Sequence, residues 1–245
     1  MSAHSFGAVL DVYLRSTIGA LFAYLLLSAI DHGLLFIKKL APSHAKYQPN
    51  QKENRKAVLV SAINIFLAMI PATPIQYGIA HGYSRLYDSI SLHGWWYYFA
   101  SIFICLFISE TGIYWIHRAL HMRFLIKTVH RLHHEFRAPT PWVSMALNPL
   151  DAFLQGLPYH LLAYTVPVHR GTYFAMLSFS LVWSVMVHDR SSLFTRWWFN
   201  GAPHHTVHHW FQKYNYGGYF TFWDRLCGTY YSPENLPKEL PDGVR

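Results

Sequence analysis

Histidines at helical spacing are the residues of this sequence most able to do chemistry. Of its 245 residues, 17 are histidine, and many of them stand in three short segments. Residues three or four apart share one face of a helix, so each segment would present two or three imidazoles along one stripe. The segments are His117-Arg-Ala-Leu-His121, His130-Arg-Leu-His133-His134 and His205-Thr-Val-His208-His209.

These segments supply eight imidazoles, which is too many for one ion. A zinc ion takes about four protein ligands, so two ions are the simplest use of the set. Imidazole suits iron, copper and zinc alike, and ligand type alone does not identify the metal. His188, at the end of the last apolar region, is a ninth candidate ligand because it would reach the same side of a membrane.

Further residues could complete such a site. His160, inside an apolar segment, and His204, beside the third motif but off its stripe, are additional candidates for ligands or supporting groups. Metal-bound imidazoles need outer partners that fix their tautomer. The acidic candidates are Glu110, Glu135, Asp151, Asp189 and Asp224, of which Asp224 and then Glu110 are favoured. Trp142, Tyr159 and Tyr164 are candidates for the wall of a substrate pocket.

The elements that must position these residues are apolar helices. Hydrophobic residues make up 52% of the chain and charged residues 13%, against roughly 25% charged in soluble proteins. Four regions are apolar enough for a bilayer, which needs about 20 such residues per helical span. They are residues 17–37, 57–80, 95–116 and 152–187. The last is longer than one span and is divided near residues 167–171, which predicts a hairpin of two short helices.

Lysine and arginine counts predict how the spans are oriented. The loop between the first two regions carries Lys38, Lys39, Lys46, Lys52, Arg55 and Lys56, whereas residues 81–94 carry only Arg85. Loops rich in these residues stay in the cytosol. The third region then returns the chain to the cytosol before His117, and a hairpin brings His188 and the third motif to the same side. We therefore expect one cytosolic cluster.

Other classes of function fit less well. The net charge of +8 is ordinary for residues that flank membrane spans, and the aromatic residues lie in apolar runs. A nucleic-acid-binding protein would instead show a basic face with exposed aromatics on a soluble fold, so no nucleic-acid partner is expected. No cleavable signal is evident, and Cys105 and Cys227 form neither a disulfide framework nor a zinc motif.

The sequence from about residue 114 to residue 230 resembles the fatty-acid hydroxylase and sterol desaturase superfamily. Residues 114–121, 130–134 and 205–209 are similar to its three histidine boxes, and residues 223–230 to its closing motif. The C-5 sterol desaturase (lathosterol oxidase) group is most similar, through residues 148–160, 200–209 and 214–219. Residues 134–139 instead resemble the C-4 sterol methyl oxidases, and His188 precedes Asp-Arg-Ser where the group usually has a glycine.

The resemblance implies an all-α integral membrane bundle of about four spans with a cytosolic di-iron site. It implies two iron ions, O2 as oxidant, a sterol-like lipid substrate, and electrons from NAD(P)H through cytochrome b5 and its reductase at the endoplasmic reticulum membrane. The chain has no Gly-rich dinucleotide motif, which fits an external donor. We expect a single membrane oxidase domain: residues 12–94 form the first two spans, 95–231 the catalytic region and 232–245 a tail.

Introduction of a C-5 double bond into a sterol is the predicted reaction, and three alternatives stay open. A lipid or terpenoid hydroxylase could use the same site, and so could a C-4 sterol methyl oxidase. A zinc-binding membrane protein without oxidase activity is the alternative from a different class. The histidine spacing does not separate desaturation from hydroxylation, because both begin at the same C–H bond and differ in how the substrate is placed.

Overall fold

The computed structural model describes residues 3–39, 50–194 and 196–235. The helices of this part of the chain are α1 (Ala3–His32), α2 (Gln51–Ala80), α3 (Gly94–Leu120), α4 (Arg123–Leu125), α5 (Arg131–His134), α6 (Pro149–Thr165), α7 (Arg170–Met186), α8 (Ala202–Phe211) and α9 (Phe222–Leu226). Two-residue strands β1 (Leu86–Tyr87) and β2 (Val168–His169) pair in parallel. The predicted all-α class is confirmed.

Local signals in the sequence start two of the helices. The side chains of Asn50 and Asn148 accept hydrogen bonds from the backbone N–H groups two residues later, which caps α2 and α6. Such caps satisfy backbone donors that a helix leaves unpaired at its first turn. Pro149 occupies the first turn of α6, where a missing N–H costs nothing.

Three helical segments are long and apolar enough to cross a membrane: Phe6–Ile37, Gln51–Ala80 and Gly94–Leu120. Helices α6 and α7 have 17 residues each, which gives about 25 Å of helix against a hydrocarbon core of about 30 Å. They form the predicted hairpin. The structure thus agrees with the four predicted apolar regions, the last of them as two short helices.

The two ends of the bundle are built differently. At one end, Tyr24 of α1 donates to the Trp142 carbonyl (2.8 Å) and Thr140 donates to Asn54 of α2 (2.9 Å). At the opposite end, β1 pairs with β2 in the turn of the α6–α7 hairpin. Helices α3 and α7 both return the chain from this turn end to the first end, which carries the histidine motifs.

Large apolar side chains cover the outside of the bundle. Phe22 on α1 is 65% exposed and Phe103 on α3 is 71% exposed. Exposed apolar area on this scale marks a surface that contacts something other than water, and on helices of this length it is the surface expected to face lipid. Lys46 and residues 236–245 of the predicted tail lie outside the described residues.

Candidate metal centre and adjoining cavity

Nine histidines gather at one end of the bundle. His117 lies in the last turn of α3, and His121 follows that helix directly. His130, His133 and His134 come from a π-helical turn and from α5. His188 lies just beyond α7, and His205, His208 and His209 lie on α8. The structure therefore brings together all nine histidines that the sequence singles out as metal ligands.

The nine rings divide into two groups, within each of which the potential ligand atoms lie within 4.8 Å of one another. The five-histidine group contains His117, His121, His130, His134 and His208. The four-histidine group contains His133, His188, His205 and His209. Two groups of this size agree with the expectation of two ions, because each offers enough imidazoles for one ion.

The spacing of the ring nitrogens fits shared ions. Within the five-histidine group, Nε2 of His134 lies 3.2 Å from that of His121 and 3.1 Å from that of His208. Within the four-histidine group, Nε2 of His205 lies 3.0 Å from that of His188 and 3.2 Å from that of His209. Nitrogens about 2.1 Å from one ion and at right angles to each other would lie about 3.0 Å apart.

Hydrogen bonds at the other ring nitrogen fix the tautomer. Backbone carbonyls accept from Nδ1 of four ligands, which must therefore carry the proton there and leave Nε2 free for a metal. The pairs are His117 with Tyr216 (3.0 Å), His188 with Ser184 (2.6 Å), His208 with Tyr214 (2.8 Å) and His209 with Phe136 (3.1 Å). The residues present thus fit a pair of imidazole-bound metal ions.

Burial keeps these imidazoles neutral. Loss of hydration lowers the pKa of His188 to about 4, and burial together with the neighbouring imidazoles lowers the pKa values of His133, His134, His205 and His209 far below the usual range. Neutral imidazole is the form that binds a metal. The site is therefore ready for metal at neutral pH without first losing protons.

Acidification is expected to destabilise the metal-free protein. Because these folded-state pKa values lie below those of the unfolded chain, the unfolded chain binds more protons as the pH falls through the ordinary imidazole range, and stability falls with it. The unfolding temperature of metal-free protein in detergent should drop by several degrees between about pH 7 and about pH 5. An unfolding temperature that stays constant over this range would contradict the conclusion that the buried imidazoles are neutral in the folded protein.

Asp151 is an acidic residue that contacts one of the candidate ligands directly. It lies in the first turn of α6 and is fully buried. Its Oδ2 accepts from Nδ1 of His130 at 2.6 Å, and its Oδ1 accepts from the Gln155 side chain at 2.7 Å. The sequence places Asp151 among five acidic candidates without favouring it. A carboxylate in an apolar segment needs a polar partner. The position of Asp151 at the start of the apolar region 152–187 could therefore have indicated that it pairs with a buried group.

Asp224 and Glu110 hold the loop of residues 216–220. Asp224 accepts from the backbone N–H of Tyr216 (2.8 Å) and of Gly217 (2.9 Å). Glu110 accepts from the backbone N–H of Tyr219 (2.7 Å). Asp224 therefore acts on the site through one intermediate, since the Tyr216 carbonyl accepts from His117. The structure places Glu110 one step further away, on the far part of the same loop.

The two additional histidines belong to neither group. His204 is buried on α8, where its ring lies 5.9 Å from that of Tyr230. His160 lines the cavity described below, beside the ligands. Whether either one supports the metals stays a prediction.

A cavity of about 290 Å³ lies against both histidine groups. It contacts His117 and His130 of the five-histidine group and His133, His188 and His205 of the four-histidine group. Its remaining lining is mostly apolar, with polar side chains from α6, from α7 and from two segments outside the helices. The polar lining residues include Ser144, Gln155, Tyr159, His160, Ser180, Ser184 and Tyr219. A cavity of this kind suits a small apolar molecule whose few polar groups fix its orientation.

The three aromatic residues predicted to form a substrate wall are placed differently. Tyr159 lines the cavity. Trp142 packs with Ala57 and Phe136 away from it, and its carbonyl accepts from Tyr24. Tyr164 donates to the Ile75 carbonyl at 2.6 Å, which ties α6 to α2. Neither Trp142 nor Tyr164 lines the cavity, so only Tyr159 is placed to contact a molecule beside the histidines.

Comparisons with known proteins agree with a metal centre beside a mostly apolar cavity. Residues 102–229 match the family model described as fatty acid hydroxylase. The chain is 36% identical over 225 residues to a Delta(7)-sterol 5(6)-desaturase of Schizosaccharomyces pombe, covering 92% of this chain and 74% of that one. It is 34% identical to lathosterol oxidase of Mus musculus (96% and 75% covered) and 32% identical to that of Homo sapiens (98% and 84% covered). No solved structure matches the chain.

Proposed function

Because the chain belongs to the fatty acid hydroxylase family, we propose that it is a membrane oxidase that introduces a C-5 double bond into a 7-unsaturated sterol. One observation carries the proposal: nine imidazoles form two groups at one end of a bundle whose outside is apolar, and five of them line a mostly apolar cavity. The names of the relatives, Delta(7)-sterol 5(6)-desaturase and lathosterol oxidase, support the choice of substrate and position.

We further propose that the two groups each hold one iron ion. His117, His121, His130, His134 and His208 would hold the first, and His133, His188, His205 and His209 the second. Bound iron would supply the reduction of O2 and the removal of hydrogen from an unactivated C–H bond. Burial of the ligands and the apolar lining would keep bulk water from this chemistry.

The balance of the reaction requires an external reductant. Desaturation removes two hydrogen atoms from the sterol, while conversion of O2 to two waters consumes four electrons and four protons. The other two electrons would come from NAD(P)H through its reductase and cytochrome b5, while one of the two remaining protons would come from NAD(P)H and the other from water. The proposed place is the endoplasmic reticulum membrane with the histidines facing the cytosol. The lysine-rich segment around Lys52 and Lys56 supports this orientation because it lies at the histidine end of the bundle.

The chain's own residues would determine the outcome by placing the sterol. Desaturation requires hydrogen removal from two neighbouring carbons, whereas hydroxylation requires one removal and addition of oxygen. A displacement of about 1 Å can change a rate by orders of magnitude. Polar side chains such as Gln155 and Ser184 would orient the sterol hydroxyl, and apolar residues such as Leu181 would hold the rings.

Expression in cells that lack their own C-5 desaturase tests the proposal. When these cells are fed a 7-unsaturated sterol, we expect the conjugated 5,7-diene, detected by its ultraviolet absorbance and by mass spectrometry. A matched strain that carries the His134→Ala variant should form none. A hydroxylated product alone would favour the lipid hydroxylase, and oxidation of a C-4 methyl group would favour the methyl oxidase. Either result would overturn the proposed reaction.

A further inference from the structure

A second cavity, of about 480 Å³, lies in a groove between α3 and α7. Tyr98, Ile102 and Leu106 line it from α3, and residues of α7 between 171 and 179 line the other side. Ala175 and Phe179 are exposed on α7, with Phe179 at 47%. The groove therefore opens onto the apolar outside of the bundle. We call it the α3–α7 groove.

The packing of the helices explains why an opening lies here. Helix α1 packs against α2 and α7, α2 packs against α6, and α6 packs against α3. The cavity beside the histidines is itself lined by residues of α3, α6 and α7 and of the segments that connect them. One side of the bundle lies between α3 and α7, and the α3–α7 groove occupies it. A molecule that extends from the histidines toward lipid has a route on this side.

Tyr219 lies between the two cavities and lines both of them. It is 4% exposed, and its hydroxyl forms a hydrogen bond with the Tyr159 hydroxyl. Its ring lies 5.4 Å from that of Phe179 in the groove and 6.0 Å from that of Trp183 beside the first cavity. Tyr219 is therefore a wall that the two cavities share.

The chemistry of a sterol determines how it would fit this channel. The hydroxyl-bearing carbon of the ring system is separated from C-5 by one carbon, whereas the hydrocarbon side chain leaves the opposite end. If C-5 is at the histidines, the hydroxyl lies among the polar lining of the first cavity and the side chain must point away. At about 290 Å³, that cavity is near the lower limit of about 300–1,000 Å³ for small-molecule pockets.

We propose that the α3–α7 groove binds the hydrocarbon side chain of the sterol, which passes Tyr219 while its hydroxyl end lies beside the metals. The proposal rests on the proposed function. It identifies the groove as the part of the protein that selects substrates by side-chain length. It also identifies Tyr219 as the residue that must move for the substrate to bind.

Substitution of Ala175 by tryptophan would fill the groove and tests this directly. Two substrates are compared, a 7-unsaturated sterol with its full side chain and the same ring system without it. Because the indole would occupy the space that the sterol side chain needs, KM for the full-length sterol should rise about tenfold in Ala175→Trp. KM for the truncated sterol should change less than about twofold, which also shows that the variant folds.

The matched control is Ala100→Trp, which places the same change on an exposed position of α3 outside the groove lining. It should leave KM for both sterols within about twofold of wild type. Equal effects of Ala175→Trp on the two sterols, or no effect on either, would overturn the proposal. Absence of diene from both sterols in the wild-type protein would instead overturn the proposed function.

Photolabelling of the wild-type protein tests binding of the sterol side chain in the α3–α7 groove even if Ala175→Trp does not fold. The probe is a 7-unsaturated sterol with a diazirine at the end of its side chain. We expect labelled residues within 98–106 of α3 or 171–179 of α7, and excess unlabelled sterol should remove the label. Labelling confined to residues 152–160, or labelling that competitor does not reduce, would contradict binding of the side chain in the α3–α7 groove.

Discussion

Replacement of His134 by alanine is expected to reduce formation of the 5,7-diene to background. His134 is buried at the centre of the five-histidine group, with its Nε2 within 3.2 Å of the Nε2 atoms of both His121 and His208. Loss of an outer partner of a metal ligand already costs about 10–100-fold, so loss of the ligand itself should cost at least about hundredfold. The measurement is diene formed per molecule of protein in isolated membranes.

Two further variants sharpen this result. His209→Ala removes a candidate ligand of the other group and should be equally severe, because the proposed reaction uses an ion in each group. His81→Ala changes an exposed histidine at the turn end of the bundle and should leave activity within about twofold of wild type. Amounts of membrane-inserted protein must be the same for all variants. Activity that survives loss of both His134 and His208 would show that the ligand assignment is wrong.

The second large effect is expected at Asp151. Its carboxylate accepts from Nδ1 of His130 at 2.6 Å, with both side chains fully buried, so it fixes the tautomer and increases the basicity of a ligand. In Asp151→Asn the side chain keeps its size but loses its charge. Activity and iron affinity should each fall about 10–100-fold. Titration of metal-free protein with ferrous iron, together with the diene assay, measures the two quantities.

Asp88→Asn is the matched control for this prediction. Asp88 pairs with Arg170 at the turn end, with Nε and Oδ1 2.7 Å apart, and its side chain is 72% exposed. An exposed pair contributes little to stability, so activity and iron affinity should be unchanged. If Asp151→Asn bound iron as tightly as wild type, the link from Asp151 through His130 to the metal would be refuted.

Hydropathy was sufficient to predict the long helices, because a run of about 20 apolar residues has the length and composition of a membrane-spanning helix. It was less informative about where helices begin. The first apolar run starts near residue 17, whereas α1 begins at Ala3. The extension carries Asp11 and Arg15, one helical turn apart and joined at 2.7 Å. Charged turns outside the apolar run leave no hydropathy signal, although they are helical.

The sequence predicted which histidines gather at one site, but not how they divide into two groups. His130, His133 and His134 share one helical stripe, yet His133 belongs to the four-histidine group and the other two to the five-histidine group. On α8, His208 is likewise separated from His205 and His209. Both of these stripes therefore contribute rings to each group, whereas His117 and His121 both belong to the five-histidine group. The group that each ring joins depends on how the segments pack against each other in space. Spacing along a single helix does not determine this packing.

The outer partners were predicted less well for the same reason. Asp151 is 21 residues from His130 in the chain, and only the docking of α6 against the histidine segments brings them together. Asp224 and Glu110, which the sequence analysis favours, contact the backbone of residues 216–220 and no histidine ring directly. The α3–α7 groove depends on helix packing, so the sequence alone did not indicate it.

Metal analysis of the purified wild-type protein tests the central claim most directly. Protein from iron-supplemented cells should contain about two iron ions per chain, as expected if each imidazole group binds one ion. The His134→Ala and His209→Ala variants should each contain about one ion or fewer. Stoichiometric zinc with no consumption of O2, or a single iron that both variants retain, would contradict a pair of iron ions held by the two histidine groups.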